Sequence, residues 1–187
     1  MSADLAASST VHGLIAARAR FSPDALALVQ GDRRLTYAQM MAEAGRIAAG
    51  LAARGVQRGD RVAVLSENRI EYTLLQLAAA RIGAMVACLN WRLVAGELAY
   101  CIDLVAPRLL IASLRHLDLA QPAGGGCTIL PIDGLGAPGD APITGESEDG
   151  FTILYTSGTT GRPKAAVISQ RAQIARITAS RINATPP

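Results

Sequence analysis

Arg61-Val62-Ala63-Val64-Leu65 is followed by Asn68-Arg69-Ile70-Glu71 at the head of a helical stripe of Ile70, Leu74, Leu77, Ala78 and Ile82. Gly83 and the apolar run Ala84 to Leu89 come next, and this stretch decides the fold. Both β-type runs are almost uniformly apolar instead of alternating, which is the pattern of strands covered on two faces. A capping signal at Asn68–Glu71 opens the helix between them. Further on, a helix over about Ala95 to Val105, a break at Pro107 and a strand from Leu109 to Ala112 extend the rhythm to βαβαβ. That alternation predicts an α/β fold, a mostly parallel sheet with helices on both faces.

Toward the N-terminus, Val11 to Arg20 reads as a short amphipathic helix stopped by Phe21-Ser22-Pro23-Asp24. Ala25 to Val29 and Arg33 to Leu35, joined at Gly31-Asp32, read as a hairpin. Thr36 and Gln39 form a capping box for a helix whose stripe is Met40, Ala44, Ile47, Ala48 and Leu51, ending at Gly55. From Gln121 to Gly150 the prolines and glycines break any helix, and a surface connection with one short strand at Cys127 to Leu130 is expected.

Composition narrows the function classes. The chain has 187 residues, 50% hydrophobic and 18% charged, and its mean hydropathy of +0.27 with low net charge argues against a disordered chain. The net charge of +3 is spread without a basic run, so no nucleic-acid partner is expected. The apolar stretch Leu74 to Leu89 contains Gln76 and Arg81, so no transmembrane segment is expected. Cys88, Cys101 and Cys127 are too sparse for a disulfide framework, and with no secretory signal they point to a cytoplasmic location. His12 and His116 stand alone and are expected to face solvent. Cys88, Cys101, Met40 and Met41 are expected in the core, Trp91 packed beside a surface Arg92, and Glu146, Glu148 and Asp149 in a solvated loop.

One segment carries chemistry. Phe151 to Tyr155 is a β-type run that delivers the chain into Thr156, Ser157, Gly158, Thr159, Thr160, Gly161, Arg162, Pro163 and Lys164. The glycines permit positive φ, so successive amides can converge on an anion. The hydroxyls add neutral donors that also suit a hydrated cation, and Lys164 supplies a mobile positive charge. A Walker loop is excluded, because Arg162-Pro163 separates Gly161 from Lys164 and Ala165 follows. Ala165 to Ile168 reads as a strand, with Ser169 capping a helix from Gln170 to about Ile182. The order is therefore strand–loop–strand.

Tyr155 to Lys164 resembles the phosphate-loop signature of the adenylate-forming superfamily, which includes acyl-CoA synthetases and peptide-synthetase adenylation domains. Leu35-Thr36-Tyr37, Gly59 to Ala63, Asn90-Trp91-Arg92 and Pro107 to Ile111 are also similar to the N-terminal portion of that family. The resemblance implies that residues 1–187 are an incomplete N-terminal AMP-binding domain, without the C-terminal domain. It implies activation of a carboxylate by ATP with Mg2+ to an acyl-adenylate and pyrophosphate, then transfer to coenzyme A, for a fatty or aromatic acid. By position, Thr156, Ser157, Gly158, Thr159, Thr160, Gly161 and Lys164 would embrace the β- and γ-phosphates, with Thr156 nearest the metal. No catalytic base is assigned, since an ionised carboxylate needs none. The alternatives are a non-catalytic remnant or binding module, and an adenylation domain loading a carrier protein. The chain alone is expected to be inactive and to need its missing C-terminal part or a partner chain. Two positions depart from the family: Ala165 replaces a usual glycine, and Gln170 a common histidine, expected near the active site.

Overall fold

The computed structural model describes residues 9–156 and 162–183. Within them, α1 (Val11–Phe21) precedes a hairpin of β1 (Leu26–Gln30) and β2 (Arg33–Thr36), and α2 spans Tyr37–Ala53. The capping box that opens α2 forms as the sequence predicts: Gln39 N–H donates to Thr36 Oγ1 at 3.3 Å, and Thr36 N–H donates to Gln39 Oε1 at 2.9 Å.

The alternating stretch then lays down β3 (Arg61–Leu65), α3 (Ile70–Ile82), β4 (Met85–Cys88), α4 (Ala95–Val105) and β5 (Leu109–Ala112). A short 3-10 turn at Leu114–His116 leads into α5 (Leu117–Ala123), followed by β6 (Thr128–Pro131), β7 (Gly150–Thr156), β8 (Lys164–Ser169) and α6 (Gln170–Asn183). The described strands β3 to β8 form a sheet in the order β6-β5-β3-β4-β7-β8. Every pairing in it is parallel except β7 with β8. Helices α2 and α3 cover one face of the sheet, α4 and α5 the other.

Successive residues of a strand point to opposite faces, and the two cores divide accordingly. Val62, Val64, Val86, Leu109 and Ile111 pack toward α2 and α3. Ala63, Leu65, Ala87, Leu110 and Ala112 pack toward α4 and α5. Burial on both sides explains why these runs lack the polar alternation of a one-faced sheet. Gly83 ends α3 at φ 72°, a left-handed turn that returns the chain directly into β4.

Several expectations are corrected. The start of α3 is not capped by Asn68. Arg69 occupies the cap position without a side-chain cap, and Gln30 Oε1 in the hairpin accepts from Ile70 N–H at 2.7 Å. Arg69 instead pairs with Glu71 and Asp133, each at 2.7 Å. The proline- and glycine-rich segment does not break every helix, since it holds the end of α5 with Pro122 inside it, whereas its expected short strand forms as β6, paired in parallel with β5. It is also more than a surface connection, because Ile132, Leu135 and Ala141 enter the core. Leu135 lies so close to Gly50 of α2 that any Cβ there would strike its carbonyl oxygen. His12 and His116 are not solvent-facing but 4% and 7% exposed. Cys101 and Met40 are buried as expected, while Cys88 and Met41 are half-buried. The acidic cluster is tied down rather than merely solvated: Arg58 holds Asp149 at 2.9 Å and Glu146 at 2.6 Å, and Arg171 holds Glu148 at 2.6 Å.

Candidate functional site

The connections leaving β3 and β4 pass to opposite faces of the sheet, by α3 and α4 respectively. In open α/β sheets a crevice forms outside the carboxyl ends of such neighbouring strands, and ligands bind there. Strand β7 lies beside β4 and runs parallel to it, so its exit at Thr156 belongs to the same edge. The antiparallel partner β8 begins at Lys164, directly opposite Thr156. The signature segment therefore joins two paired strands, as the strand–loop–strand reading requires.

Cross-strand partners in register share a face of the sheet, so Thr156 and Lys164 project to the same side. Both are exposed, and among the described residues no carboxylate pairs with Lys164. A hydroxyl and an uncompensated ammonium thus flank the mouth of the loop. Ser157, Gly158, Thr159, Thr160 and Gly161 lie outside the described residues. The alanine at position 165 costs nothing, because it sits in β8 opposite Tyr155 and is not among the positive-φ residues. Among the described residues no group of three or more His, Cys, Asp or Glu side chains could hold a metal. Magnesium fits here only as a partner of phosphate oxygens, with Thr156 able to lend one hydroxyl.

The same carboxyl edge holds a cluster that the sequence does not reveal. Ser113 Oγ, fully buried after β5, donates to Glu67 Oε2 at 2.7 Å after β3. His116 Nε2 stands 3.5 Å from that oxygen and has no hydrogen-bond partner among the described residues. Its ring stacks on Trp91 at 5.4 Å between centroids, and Arg92 lies 4.2 Å over the Trp91 ring. Trp91 is therefore packed beside an exposed Arg92, as expected, but its stacking partner is the supposedly solvated His116. Burial pushes the Glu67 carboxyl up, and the Ser113 bond, its own amide and the charges of His116 and Arg69 together bring it below the usual range. Only tertiary structure joins these residues, which is why no spacing in the sequence marks them.

Gln170 is misplaced by the sequence reading. Strand β8 runs away from the loop, so Gln170 lies at the opposite edge, beyond six residues of extended chain or roughly 20 Å. It is fully buried, its Oε1 accepting from Val11 N–H at 2.9 Å and its Nε2 donating to the Ala80 carbonyl at 3.1 Å. Its role is to join α1, α3 and α6.

A doubly wound α/β sheet whose Ser/Thr/Gly signature segment joins two antiparallel strands at its carboxyl edge defines the class of this domain. The model of the AMP-binding enzyme family matches residues 15–186, and the chain belongs to that family, in the N-terminal part of the adenylate-forming fold. Over 155 residues it is 37% identical to a feruloyl-CoA synthase of Amycolatopsis sp, covering 81% of this chain and 32% of that protein. A long-chain-fatty-acid–CoA ligase of Mycobacterium tuberculosis is 37% identical over 165 residues, covering 80% of this chain and 33% of that protein. The crystal structure of a putative long-chain-fatty-acid CoA ligase from Rhodopseudomonas palustris superposes with a TM-score of 0.82 at 31% identity, covering 92% of this chain and 48% of that one. The chain spans about a third of the length of the curated relatives it matches.

Proposed function

We propose that this chain is the phosphate-loop portion of an ATP-dependent acyl-CoA synthetase acting on a fatty or aromatic acid, with residues 1–187 forming an incomplete N-terminal AMP-binding domain. One observation carries this: the signature segment connects Thr156 to Lys164 across paired strands at the carboxyl edge of the sheet. The substrate class rests on the relatives, which include a feruloyl-CoA synthase and a long-chain-fatty-acid–CoA ligase. The three thiols are unpaired, which fits a reducing cytoplasmic setting.

Lys164 and Thr156, with Ser157 to Gly161 between them, hold the β- and γ-phosphates. The attack of an ionised carboxylate on the α-phosphate needs no base, but charge accumulates on the departing pyrophosphate. Fixed donors and an ammonium at that position lower the barrier by stabilising the charge as it develops. Thr156 would offer its hydroxyl to Mg2+ bound with the nucleotide, and the metal would neutralise part of the same charge. Coenzyme A is the acceptor in the second step.

Two consequences follow for this chain by itself. Mg·ATP and Mg·pyrophosphate bind to it, whereas AMP, which lacks the β- and γ-phosphates, does not. Carboxylate-dependent ATP–pyrophosphate exchange stays at background, because two thirds of the relatives' length has no counterpart here. Calorimetric titration with Mg·ATP, Mg·pyrophosphate and AMP tests the first; AMP binding as well as Mg·ATP would refute the assignment of the loop to the terminal phosphates.

A further inference from the structure

Helix α4 touches the chain on both sides of residues 157–161, and nothing in the proposed chemistry uses it. On the incoming limb, Tyr155 projects toward α4, the side opposite Thr156, and its hydroxyl donates to the Cys101 carbonyl at 2.9 Å. The surrounding apolar residues push the Tyr155 phenol well above its ordinary value, so it remains a donor at any physiological pH. On the outgoing limb, the Arg162 guanidinium lies 5.5 Å from the centre of the Tyr100 ring, one helical residue before Cys101. Adjacent residues of one helix thus grip the two ends of the segment that contains residues 157–161.

We propose that Tyr100 and Tyr155 are positioning residues for the phosphate loop, acting through α4 on the placement of its two limbs at the sheet edge. The proposal rests on the assignment of that loop to phosphate. The Tyr155 hydroxyl fixes β7 where it exits the sheet, and the Tyr100 face fixes the chain immediately before Pro163 and Lys164. Thr156 and Lys164, already paired across the strands, then keep one position relative to α4, and the phosphate oxygens meet a preset arrangement instead of ordering it on arrival. Arg162 is occupied by the ring and acts on the loop's placement, not as a phosphate ligand.

Titration of Mg·pyrophosphate into the 187-residue chain tests this, with urea unfolding as the control for the fold. Tyr100→Leu is expected to weaken binding about two- to five-fold, the scale of an exposed cation–π contact. Tyr100→Phe, which keeps the aromatic face, restores parental affinity. Arg162→Gln weakens binding to the same extent as Tyr100→Leu, and the double variant is no worse than either single. Tyr155→Phe weakens it independently. If Arg162→Gln weakens binding while Tyr100→Leu does not, Arg162 touches phosphate directly and the proposal falls. Equal loss in Tyr100→Phe and Tyr100→Leu also overturns it. Absence of binding by the parent chain refutes the loop assignment itself, and the positioning role with it.

Discussion

Replacing Gln170 separates a structural role from a catalytic one. Gln170→Leu keeps a similar volume but removes both bonds, leaving Val11 N–H without its acceptor in a part-buried site. The Ala80 carbonyl keeps only the long 3.4 Å contact from Gly83 N–H. An orphaned buried amide costs about 1–3 kcal/mol, and a weakened carbonyl adds to it, so a loss of about 2–4 kcal/mol is expected. In a domain of this size that lowers Tm by roughly 5–15 °C. Gln170→His behaves differently, because a neutral imidazole offers one donor and one acceptor and can serve both partners. It should stay within about 1 kcal/mol of the parent in urea unfolding. Affinity for Mg·pyrophosphate per folded molecule should be unchanged in both, since the side chain is at the far edge of the sheet. A leucine variant as stable as the parent, or a histidine variant as damaged as the leucine one, would refute the account of this residue as a buried tie.

Other outcomes follow from the same coordinates. His12 is held neutral because burial, and next the charge of Arg81, lower its pKa to about 4, against 6.5 in the unfolded chain. The unfolded state therefore takes up the proton first as pH falls, and stability declines between about pH 6.5 and pH 4, by about 3 kcal/mol in all. Urea midpoints at pH 7 and pH 4.5 should show that decline, and His12→Leu should remove most of it. Glu67 and Glu71 have depressed carboxyl pKa values, so their contribution is present above the ordinary carboxylate pKa and lost only as pH falls below it. Gly50→Ala drives a methyl into the Leu135 carbonyl and should cost about 2 kcal/mol or more in unfolding free energy, whereas Gly59→Ala meets open space and suffers only from its positive φ.

The architecture was legible where burial is two-sided and local. The uniform apolarity of β3, β4 and β5 and the stripes of α2 and α3 announce the sheet and its cover, and the Thr36–Gln39 cap forms from residues three apart. Partners distant in sequence were not legible. Gln30 caps α3 from 40 residues away, Gln170 reaches Ala80 across 90, and Ser113 meets Glu67 across 46, none with a local pattern to betray it. The segment between β6 and β7 looked like a surface connection because its prolines and glycines hide three apolar residues that the core of α2 and α3 absorbs. The two histidines were misjudged for a related reason: an isolated polar residue carries no periodic signal of burial. At the candidate site, the strand–loop–strand order was readable from the signature, but the direction of β8, which carries Gln170 away from the loop, emerged only from the pairing.

The most direct test of the phosphate-loop assignment is the affinity of this chain for Mg·pyrophosphate before and after Lys164→Ala. Loss of one charge-assisted contact worth about 1.5–3 kcal/mol predicts binding weakened roughly 10- to 150-fold, with the unfolding curve unchanged because Lys164 is exposed. Parental affinity in the alanine variant would contradict it.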